Sequence, residues 1–180
     1  MTPLVQSVTS MLSFFVVLGY GVVLLIFVSL VAKSASWAKS VLNFFGSRAV
    51  LFSFLVALGG MVTSLFYSDY AGFSACYLCW WQRLFLYPQV LLLGLALKIK
   101  DKKFPAYSFA LSVVGGAVAV YHTFIQFGGV PLIPCPATGP SCTQRYFLEF
   151  GFVTIPTMAL AAFLLIISFM LASRASKNFS

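Results

Sequence analysis

Charge is what this sequence has least of. Only 8% of its 180 residues are charged while 61% are hydrophobic, with a mean hydropathy of +1.01. A soluble domain carries roughly 25% charged residues, so a water-facing globular chain is excluded and an integral membrane protein is indicated. Polar length is short as well. Five apolar segments, at about 11–32, 49–67, 80–97, 105–127 and 152–172, each have the length to cross hydrocarbon, which takes about 20 residues, and little chain remains for a separate soluble domain. No internal repeat or low-complexity tract is evident. A basic residue is also missing ahead of the first segment, in "MTPLVQSVTS", whereas Lys33 and Lys39 follow it. A cleaved signal peptide has the opposite order, so a retained first helix is expected. The fold class is all-α, a polytopic transmembrane helix bundle.

The net charge of +8 is explained by where the basic residues fall. If five spans alternate, Lys33, Lys39, Arg48, Lys98, Lys100, Lys102, Lys103, Arg174 and Lys177 all lie on one side. The positive-inside rule makes that side cytoplasmic, with the N-terminus outside and the C-terminus inside. "KIKDKK" then reads as a short cytoplasmic loop, and no nucleic-acid partner is expected. The segment "KSASWAKSVLNFFGSR" mixes Lys, Trp and Phe and is expected along the inner interface.

Four cysteines are present, and this topology places all of them on the outer side. Cys76 and Cys79 lie where spans two and three join; Cys135 and Cys142 lie in the loop between spans four and five. Paired cysteines outside the cytoplasm normally form disulfides, and four allow three connectivities that spacing does not resolve. Four thiolates can also close a zinc site, with His122 as a candidate auxiliary ligand. The second pair fits a metal knuckle poorly, because "PCPATGPSC" separates its cysteines by six residues that include prolines and a glycine. A metal-binding membrane protein, and a helical scaffold held by static disulfides, remain as alternatives to redox chemistry.

Cys79 falls in the first turn of the third span, where unpaired N–H groups and the helix dipole favour an anion. Arg83 follows by four residues, on the same face about one turn on, a cation beside a potential thiolate. Trp80, Trp81, Tyr87 and the run "LFLYPQVLLLGLAL" suit either an interfacial belt or a lipid-accessible slot. His122, the only histidine, lies a little over one turn from the end of the fourth span with Gln126 four residues on. An ionisable group at that depth suggests function; a neutral imidazole bonded between helices is the plainer reading. The small residues of "GGAVA", 115–119, suit close helix packing.

"CYLCWWQR" with its following "LYP", the pair in "CPATGPSC" and the trailing "FGFVTIPTMALAAF" together resemble the bacterial disulfide bond formation protein B family, and within it the BdbC-type branch. The resemblance covers about residues 49–172. It implies a four-helix redox domain there, preceded by an extra N-terminal transmembrane helix and interfacial linker, 1–48, and followed by a cytoplasmic tail, 173–180. It also implies a membrane thiol–quinone oxidoreductase of the bacterial cytoplasmic membrane, expected to be a monomer. Within that resemblance, a reduced thioredoxin-like oxidase of the DsbA type attacks at Cys135, Cys142 helps resolve the mixed disulfide, and electrons reach Cys76–Cys79, with a transient Cys76–Cys142 link as one route. Cys79 then contacts the quinone, ubiquinone or menaquinone, with Arg83 stabilising charge and His122 nearby. Membrane quinone is part of the system that keeps the bacterial periplasm oxidising. Two departures stand out: the extra N-terminal helix, and the six-residue spacing of the second pair, which is long in the Gram-negative type. Pro134 and Pro136 are expected to hold Cys135 extended. Vitamin-K-epoxide-reductase-like proteins fit less well, since their redox pair comes toward the end of the bundle.

Overall fold

The computed structural model describes residues 2–99, 104–131 and 139–176. They form six helices: α1 (Pro3–Val31), α2 (Ser36–Ser47), α3 (Ala49–Leu65), α4 (Tyr77–Ile99), α5 (Phe104–Gln126) and α6 (Ile155–Ser176). A π-helical turn, Phe66–Tyr70, extends α3.

Local chemistry sets the helix ends. Thr2 caps α1, its hydroxyl accepting from the Val5 N–H at 3.4 Å, and Pro3 occupies the first turn, where no N–H is needed. Ahead of α6, Thr157 Oγ1 accepts from the Thr154 N–H at 2.7 Å, the backward half of a capping box, with Pro156 again in the first turn.

Helix α6 is the spine of the bundle. It packs against α1, α2, α3 and α5, while α4 packs between α3 and α5. Lipid is as apolar as leucine, so close approach and polar links hold such helices together more than apolar burial does. Both are present. A Cβ at Gly115 would lie 2.5 Å from the Phe163 ring, so only glycine lets α5 come so near α6 there. Between α4 and α5, Gln89 Oε1 accepts from Ser108 Oγ at 2.6 Å and Ser112 Oγ at 3.0 Å, worth about 0.6 kcal/mol each on average.

Helices α1, α5 (Pro105–Gln126), α6 and the continuous Ala49–Tyr70 segment are long and apolar enough to cross a membrane. Helix α4, expected as a fifth span, is not among them. At 23 residues it has the length, but Gln82, Arg83 and Gln89 interrupt its apolar run; Gln82 and Gln89 are buried against neighbouring helices. The protein is a multi-pass helical membrane protein.

The helix order gathers two sets of residues at opposite ends of the bundle. The starts of α1 and α4 lie with the ends of α3 and α5, as the Tyr67–Thr9 and Cys76–His122 contacts require, and the start of α6 joins them, Thr154 and Ile155 lining one small cavity with Cys76 and His122. Lys33, Arg48, Lys98 and Arg174 belong to the other end, where the Arg174 guanidinium lies 4.8 Å from the Phe109 ring centre.

Candidate functional site

Cys76 immediately precedes α4 and acts as its N-cap. Its sulfur accepts from the Cys79 N–H at 3.4 Å, the contact a serine or aspartate oxygen makes at this position. Cys-x-x-Cys spacing therefore places one sulfur at the cap and the other in the first helical turn. The two thiols are unpaired by any disulfide, with sulfurs 2.9 Å apart. Cys76 is buried and Cys79 partly so.

His122 approaches Cys76 from α5. Its Nε2 is 3.6 Å from Cys76 Sγ and 3.2 Å from the Cys142 carbonyl oxygen, and its Nδ1 is 3.0 Å from Gln82 Nε2. A carbonyl only accepts, so Nε2 carries the proton; the Gln82 amide donates to Nδ1. This is the neutral tautomer, fixed from both sides, with its N–H directed at the sulfur and at the second cysteine loop.

The donors make the two thiols unequal. Cys76 is held well below the ordinary thiol range, chiefly by hydrogen bonding from Cys79; burial opposes this, and the His122 hydrogen bond reinforces it. Spacing alone points to Cys79 as the favoured thiolate, but the folded chain turns the Cys79 N–H and the His122 N–H onto Cys76. Above its lowered pKa Cys76 is the thiolate, and removing a donor raises that pKa. His122→Ala is therefore expected to move the thiolate absorbance titration of the reduced protein, read against Cys76→Ser, upward by about one pH unit. His122→Gln, which keeps an N–H, should recover part of it. An unmoved midpoint would show that the imidazole does not act on Cys76.

Cys79 faces another way. With Arg83, Gln82, Tyr67 and Tyr87 it lines a mostly apolar cavity of about 310 Å³ between α1, α3, α4 and α6. Arg83 is fixed at its wall: Nε donates to Ser64 Oγ at 2.9 Å, Nη2 to the Ser64 carbonyl at 3.2 Å, and the guanidinium lies 5.1 Å from the Trp80 ring centre. The Tyr87 hydroxyl is buried without a hydrogen-bond partner among the described residues. His122 does not line this cavity; it lines a second, small one of about 20 Å³ with Cys76, Cys79 and Gln126. Cys79 thus lines both chambers, the mostly apolar one with Arg83 and the smaller one, lined by more polar residues, with Cys76 and His122.

The second cysteine loop closes over the polar side. Cys142 is disulfide-bonded and buried, in the same cluster as Cys76, Leu78 and Ile125. Gln126 Nε2 donates to the Gln144 carbonyl at 2.9 Å, and Tyr146 stacks on Phe73 at 4.4 Å while its hydroxyl donates to the Ser74 carbonyl. These contacts tie the loop to the segment leading into Cys76. Cys135, with Pro134 and Pro136, lies outside the described residues. A four-thiolate metal site is not formed, because Cys142 is committed to a disulfide; Cys76, Cys79 and His122 do bring three ligand atoms within 4.8 Å of one another.

The profile of the family described as disulfide bond formation protein DsbB matches residues 46–173. The chain belongs to that family. It is 38% identical over 130 residues to disulfide bond formation protein C of Bacillus subtilis (strain 168), covering 70% of this chain and 92% of that one. A probable disulfide formation protein of Metapseudomonas resinovorans is 39% identical over 119 residues, covering 65% and 83%, and a probable disulfide formation protein C of Bacillus cereus is 41% identical over 115, covering 63% and 80%. No solved structure matches significantly. Family membership makes the protein a membrane disulfide oxidoreductase.

Sequence reasoning singles out the cysteines, Arg83 and His122, but not Gln82, Ser64 or Tyr146, which hold His122, Arg83 and the second loop in place. Gln82 carries a signal, being an amide one residue from Arg83 in an apolar helix. Ser64 and Tyr146 carry none, since their roles arise from pairing between distant segments.

Proposed function

We propose that the protein is a thiol–quinone oxidoreductase that reoxidises a thioredoxin-like dithiol oxidase outside the cytoplasmic membrane. The observation that carries this reading is the position of the Cys76–Cys79 pair between a disulfide-bearing loop and an apolar cavity. The segregation of Lys33, Arg48, Lys98 and Arg174 at the opposite end of the bundle supports an outward-facing dithiol, by the positive-inside rule.

In this reading the partner's dithiol attacks the Cys135–Cys142 disulfide and leaves oxidised, and the two electrons remain on Cys135 and Cys142 as thiols. Cys142, buried with Cys76, is suited to pass them on by exchange with the Cys76–Cys79 disulfide, which is thereby reduced as Cys135–Cys142 re-forms. Thiolate formation and a good leaving thiol govern the rates. Attack of Cys142 on Cys76 releases the Cys79 thiol, and attack of Cys135 on Cys142 then releases Cys76, whose departing thiolate the Cys79 and His122 N–H groups stabilise.

Oxidation of the Cys76–Cys79 dithiol releases two electrons and two protons, and a lipid-soluble quinone supplies the acceptor that takes them up. The cavity fits such a group. Its volume falls at the lower end of the ~300–1,000 Å³ range of small-molecule sites, its walls are apolar, and the unpartnered Tyr87 hydroxyl and the Arg83 guanidinium offer donors for ring oxygens. Arg83 fixes a positive charge beside Cys79, and the apolar walls exclude water.

The test combines purified protein, a chemically reduced thioredoxin-like oxidase and a quinone, with quinone reduction followed optically. Reduction in proportion to partner oxidised is expected. Gly59 lines the cavity, and a Cβ there meets nothing within 4 Å. Gly59→Phe should therefore fill the space without disturbing the fold and slow quinone reduction by about tenfold, on the scale of 1.4 kcal/mol, while the first equivalent of partner is still oxidised. Quinone reduction that ignores both Gly59→Phe and loss of the Cys76–Cys79 pair would overturn the reading.

A further inference from the structure

The N-terminal helix lies outside the family match, which begins at residue 46, yet it forms part of the wall around the reactive cavity. Leu12, Phe15 and Val16, at i, i+3 and i+4 on one helix face, line it together with Cys79 and Arg83. Two hydrogen bonds position that face. The Tyr67 hydroxyl, at the end of α3, donates to Thr9 Oγ1 at 3.2 Å, and the Tyr20 hydroxyl donates to the Thr157 carbonyl at 2.8 Å. Leu12, Phe15 and Val16 sit between these two ties.

The arrangement leaves a lateral opening. Helix α1 packs along α6 and α2, with small or polar side chains, Thr9, Ser13 and Gly19, buried. A Cβ at Gly19 would lie 3.1 Å from the Leu165 side chain, so the approach to α6 is close. On the side toward α3 the wall is looser: Gly59 of α3 faces open space, and Phe15 is 58% exposed although it lines the cavity. The chamber is therefore polar at its Arg83–Ser64–Gln82 end and apolar where α1 forms its wall.

Resting on the reading of the cavity as the quinone site, we infer that α1 is a specificity element that receives the isoprenoid tail of the acceptor, with Leu12, Phe15 and Val16 as its contact surface. The ring end of an amphiphilic acceptor belongs with the polar end of the chamber, and a hydrocarbon tail leaving toward lipid must then pass along the α1–α3 side. A tail-less acceptor needs none of this surface.

A quinone bearing a diazirine on its isoprenoid tail tests this in the full chain. After irradiation, peptide mass spectrometry is expected to find label on Leu12–Val16. Label confined to α3, α4 and α6 would overturn the role of α1 while leaving the quinone site standing; no label at any cavity wall would overturn both. Binding provides the second readout. Leu12→Ala with Phe15→Ala removes most of the apolar surface that α1 offers a tail, and should reduce the ratio of affinities for isoprenoid-tailed over tail-less quinone by roughly tenfold. Leu18→Ala, on an exposed part of the same helix away from the cavity, should leave the ratio as it was. An unchanged ratio in the double variant, or an equal fall with Leu18→Ala, would overturn the inference.

Discussion

Cys79→Ser is expected to oxidise a reduced partner once and then stop. The second-loop disulfide is untouched by the substitution, so about one equivalent of partner is oxidised in a burst, after which turnover with quinone falls by at least on the order of a thousandfold, the scale of losing a covalent reaction centre. Serine keeps the size of the side chain, and its hydroxyl can still contact Cys76 Sγ, so α4 should start where it does now. The helix N-cap depends on Cys76 accepting from the backbone at position 79, a bond the variant retains. Rapid-mix assays of partner thiols, with circular dichroism to confirm the fold, distinguish the outcomes. Sustained turnover would show that electrons bypass the pair. Absence of the burst would instead show that the second loop does not receive the partner.

The burst also separates the two cysteine pairs, which the folded chain treats differently. Cys142 is already in a disulfide and lies buried beside Cys76, whereas Cys76 and Cys79 are thiols. The same chain thus holds an oxidised cysteine and a reduced pair in one cluster. His122 touches both sides of that junction, through Cys76 Sγ and the Cys142 carbonyl.

Much of this is legible in the sequence because membrane helices announce themselves by length and composition, and because Cys-x-x-Cys before a helix carries its own geometry. The apolar runs of α1, α3, α5 and α6 could hardly be anything else. Placing Cys79 and Arg83 on one wall follows from their four-residue spacing, and both do line the same cavity. What spacing does not contain is direction. Cys76 is the preferred thiolate because the Cys79 thiol first and the His122 N–H second turn toward it, and a one-dimensional pattern does not encode the approach of α5 to the start of α4. The extra helix shows the same gap. Its sequence reads as a uniform apolar span, and only its docking through Thr9 and Tyr20 reveals that Leu12, Phe15 and Val16 face the reactive chamber.

Arg83→Met is expected to slow quinone reduction by about a hundredfold while leaving the partner burst intact, since removing one preorganised charge-stabilising donor costs about 10²–10³. The guanidinium has no carboxylate beside it among the described residues; its contacts are the Ser64 hydroxyl and carbonyl and the Trp80 ring. An arginine at this depth is costly to place, and these three contacts fix its direction without neutralising its charge. Its field is therefore available to negative charge on Cys79 or on an acceptor in the cavity, where apolar walls weaken screening. Methionine retains much of the apolar stem and removes the charge. Arg83→Lys restores the charge but cannot reproduce the paired donation to Ser64, so it should recover only part of the rate. Ser64→Ala keeps the arginine and loosens it, which predicts a smaller loss than either substitution at position 83. Stopped-flow measurement of quinone reduction, alongside the stoichiometry of the first partner equivalent, resolves the series. Equal rates in Arg83→Met and the unaltered chain would remove Arg83 from the acceptor site. A missing burst would place its effect at the second loop instead, whose Tyr146 lines the same cavity.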